Sequence, residues 1–175
     1  MLISDSYRAL NEQLHNTHRY GERGDKWAKR VRLYIERFQP ESILDYGCGK
    51  GALKRALQDE FDGTFSEYDP AIPEKSARPE PADLVVCTDV LEHIEPECIN
   101  AVIDDLAALA RVALFVVVST RPAVKTLADG RNAHLIIQPL EDWLPLFTRS
   151  MTIVERKEMG DEFALLLTPG ITTEG

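Results

Sequence analysis

The sequence is short of three things, and each shortage excludes a class of protein. Cysteine is the first. Cys48, Cys87 and Cys98 are the three in 175 residues. They are too few and too scattered for a disulfide framework, and no C-x-x-C pair marks a zinc site. A reduced, cytoplasmic setting is the expectation. Long apolar runs are the second. The longest, VALFVVV at 112–118, has the length of a strand, far below the roughly 20 residues of a membrane-spanning helix. The opening MLISDSYRAL shows no basic stretch followed by an apolar one, so no signal peptide and no membrane partner are expected. Positive charge is the third. Twenty Lys and Arg stand against 29 Asp and Glu, a formal net charge of −9. A nucleic-acid binder needs a basic footprint to displace counterions, so nucleic acid is not the expected partner. The basic stretch RYGERGDKWAKRVR (19–32) reads as a solvated helix face.

What is present is an alternation of short apolar segments. There is no internal repeat, and the length suits one domain, 1–175. Trp27, Val31, Tyr34, Ile35 and Phe38 recur at helical spacing over 25–38, with Asp25 as a candidate cap and Pro40 as the stop. SILDY (42–46), TFSEYD (64–69), ADLVVCTD (82–89) and ALFVVVS (113–119) read as strands. Helices are expected over 52–60, over 97–111 and over PLEDWLPLF (139–147). DPAIPEKSARPEPA (69–82) is a loop, because its prolines remove backbone donors. MTIVERKE (151–158) and EFALLLT (162–168), joined by a Gly-Asp turn, form an antiparallel hairpin. The order predicts an α/β fold: a mainly parallel sheet covered on both faces, with the hairpin at its end. Ligands in such sheets lie beyond the carboxyl ends of the strands.

One of those ends carries DYGCGKGAL (45–53). A phosphate-binding P-loop needs Gly-Lys followed by Ser or Thr, and Gly51 stands there instead. A dinucleotide loop remains allowed, since Gly47, Gly49 and Ala52 fit its spacing and Asp69 follows Gly47 by 22 residues. Asp45 favours another ligand. A carboxylate beside a pyrophosphate is repulsive. S-adenosylmethionine (SAM) carries an ammonium and a sulfonium but no phosphate, and an acid suits both cations.

ILDYGCGKGAL (43–53), EYDP (67–70), ADLVVCTDVLEHI (82–94) and the terminal hairpin together resemble the class I SAM-dependent methyltransferases over about residues 42–168. The resemblance implies a Rossmann-like fold and an enzyme that uses SAM as cofactor. It places Asp45, Gly47, Cys48 and Gly49 along the methionine part of SAM, with Gly51 letting a helix approach. Asp69 would hold the ribose hydroxyls and Pro70 would lie near the adenine. Thr88 and Asp89 would close the methionine side, while Leu91 and His93 face the transfer site. His93 and His134 are the candidate general bases. Arg121, Lys125 and Arg131 could bind an anionic acceptor. The expected acceptor is a small molecule, and no metal is expected.

The chain departs from the family between EYDP and ADLVV. The loop 70–81 is too short for the usual helix and third strand, so six strands are predicted rather than seven. The element that ordinarily contacts the adenine amino group is then missing. The N-terminal segment 1–24 could compensate as a lid, with Tyr20 and Lys26 near SAM, and the edge left bare could accept a homodimer or a partner chain. Two alternatives accompany this reading. One is a non-catalytic SAM-binding partner subunit. The other is a metal-dependent RNA ribose methyltransferase, because Asp89, Glu92, His93 and His134 resemble the metal site of the small-RNA 3′-end enzymes.

Overall fold

A computed structural model of the chain describes residues 1–16, 21–22 and 24–170. Within it, each strand follows from its residues. β-Branched and apolar side chains with a period of two suit a pleated surface that is buried on both sides. β1 (Ser42–Tyr46), β2 (Thr64–Tyr68), β3 (Ala82–Thr88), β4 (Ala110–Ser119), β5 (Met151–Glu158) and β6 (Glu162–Pro169) form one sheet of six strands, ordered β2-β1-β3-β4-β6-β5. The first four run parallel, and β6 pairs antiparallel with both β4 and β5. Residues 69–81 hold a single 3₁₀ turn, Pro73–Lys75, and no strand. The expected six-stranded, mainly parallel sheet with its terminal hairpin is what the chain forms.

Neighbouring side chains on each strand serve different layers. Leu44, Val85, Leu114, Val116 and Leu165 face α4 (Ile99–Leu109) and α5 (Leu140–Thr148), where Trp143 and Phe147 are fully buried. Ile43, Leu84, Phe115, Val117 and Leu166 face α2 (Ala28–Phe38) and α3 (Ala52–Leu57). The three valines 116–118 are therefore split between the two layers, which explains a strand that is apolar on both sides.

Several boundaries differ from expectation. α2 starts three residues late, after a 3₁₀ turn Gly24–Trp27, and Trp27 rather than Asp25 precedes it without a side-chain cap. Gln39, not Pro40, ends it, in a left-handed conformation at φ 47°. α3 stops at Leu57. β4 begins at Ala110, directly after α4, with no loop between them. The largest difference is α1 (Asp5–His15), a helix the sequence reading did not assign. Its signals were there: Ser4 caps it by accepting the Tyr7 N–H at 3.1 Å, and Tyr7, Leu10 and Leu14 share one side. α1 is not part of the two main layers. Tyr7 and Leu14 pack with Leu127 and Ala133 of the segment after β4, in a small cluster of their own.

Candidate functional site

A cavity of about 550 Å³ opens at the carboxyl ends of β1, β3 and β4, and α1 forms its opposite wall. That volume is in the range of sites for a cofactor together with a small ligand. Its floor is the glycine loop. The N–H groups of Gly47 and Cys48 both donate to the Tyr68 carbonyl at the end of β2, at 2.7 and 3.1 Å. This fixes the turn at a φ of 76° for Gly47, a region that costs other residues energy. A Cβ on Gly47 would lie 2.3 Å from Val90 Cγ2. A Cβ on Gly49 would lie 2.6 Å from the Gly21 carbonyl oxygen. Both positions are glycine because other parts of the chain come this close. At Gly51 the near group is the Glu67 carboxylate rather than the following helix.

Asp45, the penultimate residue of β1, lies on the cavity wall and is 4% exposed. Burial pushes its pKa up to about 7; the Glu67 charge adds to this, Lys75 opposes it and Asp69 adds again. It is therefore poised to lose its proton when a cation arrives. Asp69 follows β2. One carboxylate oxygen accepts the Gly49 N–H and the other the Ala71 N–H, both at 3.0 Å. This buried acid is held rigidly at the rim of the loop. Pro70 and Cys48 also line the cavity.

At the end of β3, Thr88 and Asp89 line the cavity. Asp89 has a φ of 56°, a strained value that aspartate tolerates better than most residues. The Lys26 ammonium lies 3.1 Å from Asp89 and 3.1 Å from Glu162 at the start of β6. Leu91 is corrected by the structure. It is fully buried against α4 in the core and does not line the cavity. The 3₁₀ turn Leu91–His93 turns this apolar side chain inward and leaves Glu92 and His93 on the cavity side.

Glu92 is wholly buried. One oxygen accepts the Ser119 N–H at 3.1 Å, and Oε2 has no hydrogen-bond partner among the described residues. Burial, and then the Asp89 charge, push its pKa up to about 8. The rings of His93 and His134 meet edge to face, 4.7 Å apart. His93 Nδ1 bonds the Ala133 carbonyl at 2.7 Å, and His134 Nδ1 bonds the Arg121 carbonyl at 2.6 Å. These carbonyls fix the Nδ1–H tautomer in each neutral ring. Burial, and then His134, push the His93 pKa down to about 4. Among the described residues, one donor atom each from Glu92, His93 and His134 lie within 4.8 Å of one another. Asp89 is not part of that group; it is held by Lys26 instead.

Of the cations expected to attract an anionic acceptor, Arg121 alone lines the cavity, 3.7 Å from Asp161. Arg131 pairs with Asp129 and stacks on Tyr7. Tyr20 lies outside the described residues. The sequence reading also missed Tyr7, Asn11 and His15, which line the cavity from α1. Their spacing of four residues on a helix was the available signal.

Residues 17–156 match the family described as a methyltransferase domain. No curated protein matches the sequence. Three solved structures illustrate the likeness of fold. The PH0226 protein from Pyrococcus horikoshii OT3 is 13% identical with a TM-score of 0.62, over 96% of this chain and 100% of that one. The N-methyltransferase NodS from Bradyrhizobium japonicum WM9, in complex with S-adenosyl-L-homocysteine, is 17% identical with a TM-score of 0.61, over 95% and 99%. Magnesium protoporphyrin IX methyltransferase from Synechocystis PCC 6803, with bound SAM, is 16% identical with a TM-score of 0.58, over 95% and 92%.

Proposed function

The chain belongs to the methyltransferase domain family, and from that premise we propose that it transfers a methyl group from SAM to a small-molecule acceptor. The observation that carries this reading is the gathering of Asp45, Gly47, Gly49 and Asp69 at one end of a single cavity, with His93 and His134 on its rim. The residues fit the cofactor. The glycine floor leaves backbone where a side chain would fill the cradle. Asp45 is a buried acid whose raised pKa a nearby cation would lower again.

When bound, SAM supplies a sulfonium-activated methyl group open to in-line displacement. The chain supplies position and proton handling. Asp45 faces the cationic end and Asp69 the ribose. Lys26, held between Asp89 and Glu162, ties the N-terminal segment across the site as part of a lid that excludes water. His93 and His134 carry their Nδ1 protons on backbone carbonyls, so Nε2 is the atom that accepts a proton from the acceptor. Calorimetry with SAM and S-adenosylhomocysteine tests the premise; absence of binding overturns it. Loss of turnover in His134→Ala with unchanged SAM affinity is the expected signature of a proton acceptor. Deleting residues 1–24 is expected to weaken SAM binding, and unchanged affinity removes the lid.

The unpartnered Glu92 oxygen beside two anchored histidines favours a second reading, in which the rim holds a divalent cation against acceptor oxygens. Glu92, His93 and His134 would hold it. A manganese spin-resonance signal lost in Glu92→Gln and His134→Ala supports this reading. Turnover indifferent to a chelator rejects it.

A further inference from the structure

The acid assigned to the ribose does not stand alone. His15, the last residue of α1, places Nε2 3.7 Å from Asp69 Oδ2, and both side chains are largely buried. The His15 ring packs on Gly21, where a Cβ would come within 3.0 Å of the ring. Gly21 in turn lies on Gly49 and accepts the Lys50 N–H at 2.8 Å. His15, Gly21 and Gly49 therefore form a stack beside Asp69 with no room for further side chains. The other end of α1 is also tied down. Ser4 donates to both Glu95 oxygens, at 2.8 and 2.6 Å, and the Tyr7 hydroxyl donates to the His93 carbonyl. The position of His15 is thus set by contacts at both ends of its helix. Between β2 and β3 the chain forms one 3₁₀ turn, Pro73–Lys75, and of this link Asp69, Pro70 and Ala71 line the cavity.

We propose that His15 is a second ribose-binding residue, completing with Asp69 a two-sided clamp on the vicinal hydroxyls of the cofactor. The proposal rests on SAM being the cofactor, and it assigns to α1 a part of the ribose recognition. The chemistry is complementary. Each Asp69 oxygen already accepts one backbone N–H and keeps lone pairs for a hydroxyl donor. A hydroxyl that donates to Asp69 still has lone pairs of its own, and an imidazole N–H is the donor they need. The separation of 3.7 Å is too long for a direct hydrogen bond and short enough for one hydroxyl oxygen to touch both groups.

The test is calorimetric and needs no acceptor. S-adenosylhomocysteine and its 2′-deoxyribosyl analogue are titrated into the full chain, into His15→Ala and into His15→Gln, which keeps an N–H donor. The expected result is that His15→Ala weakens S-adenosylhomocysteine roughly five- to tenfold, the equivalent of one hydrogen bond between neutral groups. The 2′-deoxy analogue shifts less than about twofold on the same scale, so discrimination between the two collapses. His15→Gln recovers most of it. Equal or tighter binding of S-adenosylhomocysteine by His15→Ala overturns the clamp and leaves the SAM reading intact. Failure of the unmodified chain to bind S-adenosylhomocysteine overturns both.

Discussion

The floor and the roof of the cavity reach the same space by opposite means. The floor is backbone: the Gly47 and Cys48 N–H groups donate to the Tyr68 carbonyl, the Gly49 N–H donates to Asp69, and neither glycine has room for a Cβ. The roof is side chains: α1 is tied by Ser4, Tyr7 and His15, and its small apolar cluster is separate from the main layers. A floor of this kind fails whenever any side chain is added. A roof of this kind loosens one contact at a time, since each hydrogen bond contributes only about 1 kcal/mol. Rigidity and adjustability are divided accordingly: the glycine floor is inflexible by steric necessity, and the wall opposite is held by separate, individually weak contacts.

The comparison is broken most severely at the floor. Gly47→Ala combines a left-handed φ with a 2.3 Å approach to Val90. It is expected to cost roughly 2–4 kcal/mol, read as a fall in the thermal midpoint, together with loss of SAM binding. Gly49→Ala directs its Cβ at the Gly21 carbonyl, and should separate the roof from the floor with a smaller loss of stability.

Asp45 sharpens the comparison through pH. Its folded pKa is raised from 3.8 to about 7. The free protein therefore has the full stability of the neutral acid below pH 3.8 and loses it as pH rises through 7. Asp45→Asn removes that loss. It should raise stability at pH 8 by on the order of 3 kcal/mol and hardly at all at pH 4, measured by urea unfolding. SAM binding runs the other way. A cation lowers the Asp45 pKa, so binding at pH 7 should release a proton, read by calorimetry in buffers of different ionisation enthalpy.

At the roof the effects are smaller. Tyr7→Phe removes the bond to the His93 carbonyl. It should cost about 1 kcal/mol, seen as faster amide exchange in α1 with that of β3 and β4 unchanged. The smallest effect is expected for Lys26→Ala. Its two ion pairs are about a third exposed, and screening holds their worth below about 1 kcal/mol. A larger change would mean that the roof is held as firmly as the floor.

Legibility follows the same division. Strands β1, β3 and β4 and the glycine loop were readable because each is a local pattern: a run of apolar residues, then glycines, then a helix. The short link 69–81 was readable as the missing strand by counting residues. Leu91 misled because the turn after β3 is a 3₁₀ turn, which points that residue into the core rather than at the cavity. α1 was missed although its cap and spacing were present, because a short amphipathic segment does not reveal what it will pack against. Glu92 was legible as part of a motif. Its unpartnered oxygen, and the pairing of Asp89 with Lys26, were not.

The sheet, the cradle and the acids at its strand ends were set by local pattern alone, because hydrophobic period, glycine and loop length act over a few residues. That His15 meets Asp69, that His93 meets His134 and that Asp45 and Glu92 hold their protons near neutral pH came from folding as a whole. Those properties depend on burial and on groups 41 to 54 positions apart in the chain, and no local pattern encodes either.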